Sequence, residues 1–329
     1  METNIEIKLK EKISGLFDEL DVVIGYGKSN IAGRVNPVFI KEKSGLQNLI
    51  FNRFCINNLS VYPYYMTKEF QGNIAVVLKP CDAKSIAQLI SEELLDRKKI
   101  KSIVAGCSGA IDIKKIQKHI GGGRIVLLNQ NGENMDINTA DENFSLKTHG
   151  FYADKCYKCN IYDNPPYFDE FIENDEKLII NSKEDFKEEP ELLNKLENSN
   201  LDEILSFWEK EFSRCIRCYA CRNICPMEIC RDKCIAQLDS PHWQSGKINT
   251  EEGKFFQLIR IMHLAGRCTE CGECERACPA NIPLVTLMKK VNKEILRLFD
   301  FTPGMDAKAK PPLLTFKNVE KNIKEEELV

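Results

Sequence analysis

CIRCYACRNICP, residues 215–226, and CTECGECERACP, residues 268–279, carry one cysteine spacing and both end in Cys-Pro. The spacing C-x2-C-x2-C-x3-C-P suits 4Fe-4S clusters: three thiolates in one short loop reach three irons of a cubane. The fourth, followed by a proline that turns the chain away, ligates the other cluster. This assigns Cys215, Cys218, Cys221 and Cys278 to a first cluster and Cys268, Cys271, Cys274 and Cys225 to a second. Crossed ligation would tie both loops into one rigid unit. A disulfide framework or a pair of zinc sites also uses C-x2-C pairs. Neither gives a reason for a third C-x2 step and a Cys-Pro in both halves.

Outward from these loops the pattern turns helical. LDEILSFWEKEFSRC (201–215) reads as an amphipathic helix, with Ile204, Leu205, Phe207 and Trp208 on its apolar side, that delivers the chain to Cys215. The 42 residues between Cys225 and Cys268 exceed what a compact β-containing ferredoxin needs. They include GKFFQLIRIMHLAG, a helix candidate with Phe255, Phe256, Ile259, Met262 and Leu264 as its apolar set, and IPLVTLMKKVNKEILRLF follows the second motif. Residues 201–300 are therefore expected to form an all-helical two-cluster domain. Cys230 and Cys234 are read as unligated thiols, unless Cys55 joins them as a further donor. His242, His263 and Trp243 read as packing or cluster-shielding residues, and His119 and His149 have no recognisable partners.

Upstream, NIAVVLK (73–79) is a continuous apolar run suited to a parallel strand buried on both faces, DAKSIAQLISEELL has helical periodicity, and SIVAGC (102–107) is a second such strand. This βαβ unit puts Cys81 and Cys107 at one sheet edge, where open α/β sheets bind ligands, with Cys81 near a helix N-terminus. Cys156 and Cys159 in DKCYKCNIYDNPP complete four thiolates, a candidate third 4Fe-4S cluster. The alternative makes Cys81 and Cys107 small buried hydrophobes and the C-x2-C pair a redox dithiol or zinc half-site. VVIGYG (22–27) reads as a buried strand ending at glycines, Ile13, Leu16, Phe17 and Leu20 as one face of an opening helix, and GGGRIVLLNQNGENMDIN as irregular. The expected organisation is an α/β domain with parallel strands over 1–165, an acidic linker or excursion over 166–200, the helical domain over 201–300 and an extended tail over 301–329, lying on a partner.

The 329-residue chain has a net charge of −3, so nothing in the total points to nucleic acid or an anionic membrane. Fifteen cysteines, without a signal peptide or an apolar run of membrane-span length, indicate a reducing cytoplasm, where they serve as metal ligands. An anaerobic setting is expected from such oxygen-sensitive cargo.

LKPCDAKSI, AGC at 105–107, KCYKC at 155–159, CIRCYACRNICPMEIC and GRCTECGECERACPANIP together resemble the β-subunit family of coenzyme F420-linked hydrogenases and formate dehydrogenases. The dicluster half is also similar to the iron-sulfur β subunit of sulfhydrogenases. The likeness covers about residues 70–295. It implies that Cys81, Cys107, Cys156 and Cys159 hold an additional 4Fe-4S cluster. FAD is the family's other cofactor, but its glycine-rich helix start is replaced here by VVIGYGKSNIAGRVNPVFI, which leaves FAD without assigned residues. The expectation is an electron-transfer subunit of a cytoplasmic multisubunit oxidoreductase, with other redox subunits and ferredoxin as partner classes and catalysis on those partners. The alternatives are a flavin-containing catalytic subunit acting on coenzyme F420 or a nicotinamide, and a free ferredoxin-like carrier.

Overall fold

The computed structural model describes residues 3–157, 159–176, 178, 191–227, 234, 244–245 and 247–316. Thr3 and Glu6 cap the first helix, α1 (Asn4–Leu16), reciprocally, and its apolar stripe of Ile5, Leu9 and Ile13 is buried. Strands β1 (Val22–Lys28), β2 (Val35–Ile40) and β3 (Leu49–Ile50) follow, then helix α2 (Val61–Glu69), strand β4 (Ile74–Leu78), helix α3 (Pro80–Ser91) and strand β5 (Ile100–Ala105).

The main sheet runs β2-β1-β4-β5-β9, where β9 is Glu170–Ile172 and β3 pairs with β1. β1, β4, β5 and β9 are parallel, while β2 and β3 lie antiparallel to β1. The sheet is thus mixed: the expected parallel strands run from β1 to β9, and β2 and β3 add an antiparallel side. Leu78 of β4 and Val104 of β5 stand in register, so Cys81 and Cys107 leave the sheet at one edge, as the βαβ pattern requires. Gly25 and Gly27 lie inside β1 rather than at a turn. A Cβ on Gly25 would meet Leu49 Cδ1 at 2.2 Å, so the buried Leu49 side chain of β3 packs into the space that glycine leaves.

Two further expectations are revised. The stretch read as irregular folds, after helix α4 (Ile113–His119), into a separate antiparallel sheet of β6 (Ile125–Asn131), β7 (Asn134–Thr139) and β8 (Asn143–Lys147). Its first turn is closed at Gly132, φ +59°. The acidic segment assigned to a linker contributes β9, because Phe171 and Ile172 pair with β5 and continue its core.

The remainder is helical: α5 (Asp154–Tyr157), α6 (Glu191–Glu197), α7 (Leu201–Ser213), α8 (Ala220–Asn223), α9 (Thr250–Leu264), α10 (Glu273–Ala277) and α11 (Leu284–Phe299). On α7 the buried anchor is Phe212 stacked on Trp208, whereas Leu205 is exposed. On α9, Phe256 and Leu264 face inward as expected, but Phe255 and Met262 face outward, and Gln257 and Arg260 take buried places.

Helix α3 joins the two parts. Its Glu92 pairs bidentately with Arg267, just before Cys268, at 2.5–2.9 Å. Gln88 accepts the Gly304 N–H at 2.9 Å. The start of the tail therefore returns to α3 of its own chain, and its last residues, 317–329, fall outside the described part.

Candidate metal centres

The two C-x2-C-x2-C loops share a backbone as well as a spacing. Arg217 and Glu270, each two residues past the first cysteine, have φ of 48° and 57°; Tyr219 and Gly272, each after the second cysteine, have 59° and 79°. Left-handed residues at both places curl the chain so that three cysteines converge. Tyr219 tolerates the conformation with its ring edge-on against Phe256 at 5.1 Å.

Cys215, Cys218, Cys221 and Cys278 line one cavity. Cys225, Cys268, Cys271 and Cys274 line a second, and Cys81, Cys107, Cys156 and Cys159 a third. Each of these three cavities is small, about 20 Å³. The fourth cysteine of each motif thus stands with the other motif's first three. Among the described residues no three His, Cys, Asp or Glu side chains converge as one metal ion requires.

The third site is assembled from three places in the chain. Lys79 caps α3, Pro80 occupies its first position and Cys81 follows. Lys79 and Asp82 form an ion pair of 2.5 Å with 2% and 0% of their side chains exposed. Lys79 also donates to Tyr26 Oη and to the Asn57 carbonyl, each at 2.7 Å. Burial alone would pull Lys79 down, but Asp82 outweighs it and the net direction is up. The Cys107 N–H donates to the Tyr162 carbonyl at 3.0 Å, and the Ala110 N–H to Cys156 Sγ at 3.4 Å.

The donor set suits iron-sulfur chemistry. Each cavity offers four soft thiol donors. Burial pushes Cys107 up to about 12 and Cys271 to about 11, and raises Cys81, Cys156, Cys159, Cys268 and Cys274 as well. Such thiols keep their protons in an apolar wall unless a cation replaces them. Backbone N–H groups moderate the effect: Gly109 donates to Cys107, Ile161 to Cys159, Glu270 to Cys268 and Glu273 to Cys271. Donors of this kind stabilise anionic cluster sulfur and raise reduction potentials.

Residues the spacing did not flag also reach the sites. Gln257 Nε2 lies 3.7 Å from Cys215 Sγ. Arg260, 3% exposed, reaches the Cys221 carbonyl at 3.5 Å and hydrogen-bonds Cys274, touching both motif loops. Both look like surface residues by hydropathy; only their phase on α9 with Phe256 could have exposed them. Between the third and second sites opens a cleft of about 630 Å³, lined by Cys81, Cys159, Cys271 and the lysines Lys84, Lys155 and Lys289.

The remaining cysteines are not brought together. Cys55 is buried in the core of the main sheet, and burial pushes its thiol up to about 12, while Cys234 lies in the helical core beside Cys221 and Cys278. Cys230, His242 and Trp243 lie outside the described residues. His263 is exposed on α9, so it shields no cluster site; His119 packs edge-on against Phe151, and the His149 carbonyl accepts from Tyr157.

Residues 214–282 match the family model of the 4Fe-4S dicluster domain. The β subunit of F420-dependent formate dehydrogenase from Methanocaldococcus jannaschii is 26% identical over 298 residues, 74% of this chain and 76% of that protein. This chain resembles the β subunits of F420-dependent formate dehydrogenases. The F420-dependent formate dehydrogenase 1 β subunit from Methanococcus maripaludis is 22% identical, over 75% of this chain and 77% of its own length. The resemblance read from the cysteine motifs is thus borne out over about three quarters of the chain. A chain of the F420-reducing [NiFe] hydrogenase complex from Methanosarcina barkeri overlaps 46% of this one and 58% of its own length at 14% identity with a TM-score of 0.37, too low to carry an inference. Among the described residues no helix is long and apolar enough to cross a membrane.

Proposed function

We propose that this protein is the iron-sulfur electron-transfer subunit of a multisubunit oxidoreductase and relays single electrons through three 4Fe-4S clusters. The observation that carries this reading is the sorting of twelve cysteines into three cavities of four. Cys81, Cys107, Cys156 and Cys159 would hold one cluster, Cys215, Cys218, Cys221 and Cys278 another, and Cys225, Cys268, Cys271 and Cys274 the one between. Bound there, the clusters supply one-electron carriers whose potentials the protein sets.

The chain's own groups do the rest. Thiols from distant elements would fix each site, backbone N–H groups turn toward sulfur, and Phe256, Ile282 and Leu284 keep water from the first cavity. The order follows from shared walls. Cys81 and Cys159 of the third site and Cys271 of the second face one cleft, and Arg260 joins the second to the first. Cys218 is exposed, so the first site ends the row at the surface. Exit or entry of electrons there requires a partner, which we place among redox subunits of the kind the relatives' names describe. Anaerobic native extract tests this: the protein should elute with another redox subunit. Elution alone as a monomer with full electron-carrier activity would contradict it and favour the free-carrier reading.

A second reading is favoured by the cleft, whose 630 Å³ falls in the range of ligand pockets. A flavin held beside the third site would make this subunit catalytic toward a deazaflavin or nicotinamide. Flavin at one per chain after gentle anaerobic isolation would establish that reading, and none would remove it.

A further inference from the structure

Lys155 belongs to two sites at once. It precedes Cys156 in the loop of the third site, and its Nζ donates to the carbonyl of Cys271, a cysteine of the second site, at 2.9 Å. Its side chain lines both the third cavity and the cleft that separates the two. The charged groups that act on it most strongly include the carboxylates of Asp82 and Glu273, and Lys79 as a like charge. Glu273 is itself paired with Arg276 at 2.6 Å and Asp82 with Lys79 at 2.5 Å. These two carboxylates therefore already have cations of their own, and the hydrogen bond to Cys271 turns the Lys155 charge toward the sulfur sites.

We infer that Lys155 is a positioning residue that sets the electron step between the third and second clusters. The inference rests on the three-cluster reading above. One electron leaves one cluster and arrives on the other, with no bond made or broken and no proton moved. A lysine ammonium is charged at neutral pH. Placed at the boundary, it lowers the energy of the added negative charge on either side, because the medium between is poorly screened. Its hydrogen bond to Cys271 holds the two loops at one spacing. Arg260 occupies the matching place between the second and first sites, reaching the Cys221 carbonyl and Cys274.

The test is an anaerobic redox titration followed by electron paramagnetic resonance on the full chain, with iron and sulfide counted in the same samples. Lys155→Met, of similar length and neutral, should keep all the iron. It should move the midpoint potentials of the third and second clusters to more negative values while leaving that of the first unchanged. Lys155→Arg should restore both. Unaltered potentials in a fully loaded Lys155→Met protein would overturn the inference, as would an equal shift of all three components. If Lys155→Met loses iron, the same fall must appear in Lys155→Gln, which keeps a hydrogen-bond donor, and no shift there overturns the proposal. A wild-type protein with only two clusters would instead remove the reading on which it rests.

Discussion

The hydroxyls of Ser85 and Thr269 lie 2.9 Å apart, and both residues are buried. This bond joins the helix that begins at the third site to the loop between Cys268 and Cys271, across 184 positions of sequence. The two halves of the molecule are therefore locked where their cysteine-lined cavities approach each other.

Ser85 also accepts from Asn58 Nδ2 at 3.2 Å. Ser85→Ala strands two buried polar partners and is expected to cost about 1–3 kcal/mol. Glu92→Gln, which breaks the fork with Arg267, should cost about 2–3 kcal/mol. Chemical unfolding of the loaded protein checks both; a change below about 0.5 kcal/mol in either would mean that α3 does not hold the halves together.

Lys79 and Asp82 form a buried ion pair, and removing one partner leaves the other's charge unpaired. Lys79→Met or Asp82→Asn alone should destabilise by about 3–5 kcal/mol, while Lys79→Met with Asp82→Leu should cost less than either single change. Additive losses in that cycle would show that the two residues act independently.

Gly109 has φ +95°, and a Cβ there would meet Leu178 and Tyr152 at 2.8 Å. Its N–H also donates to Cys107. Gly109→Ala is expected to lose the third site selectively, lowering iron by about four per chain. Loss of all iron, or of none, would contradict the placement of Gly109 at that site alone.

Much of this site was legible because cysteine spacing is a local code. The two motifs, the βαβ unit that aligns Cys81 with Cys107, and the helices beside the motifs could be read directly. What escaped is non-local. β9 is three residues long and exists because β5 offers it an edge, so the acid-rich sequence around it reads as linker. Gln257 and Arg260 are polar residues buried toward sulfur, where hydropathy points the wrong way. Lys155 carries no signal at all until folding brings Cys271 to it.

Crossed ligation has its own signature in paired substitutions. Cys225→Ser with Cys274→Ser should remove one cluster, about four irons, because both residues line one cavity. Cys225→Ser with Cys221→Ser should remove two, about eight irons, because they line different ones. Uncrossed motifs would give the reverse.

Iron and acid-labile sulfide per chain, measured on anaerobically purified wild-type protein, test the central claim most directly. Three sites of four thiols require about twelve irons with about twelve sulfides. A value of about eight would contradict the account, leaving Cys81, Cys107, Cys156 and Cys159 as core or redox thiols and ending the relay at the dicluster domain.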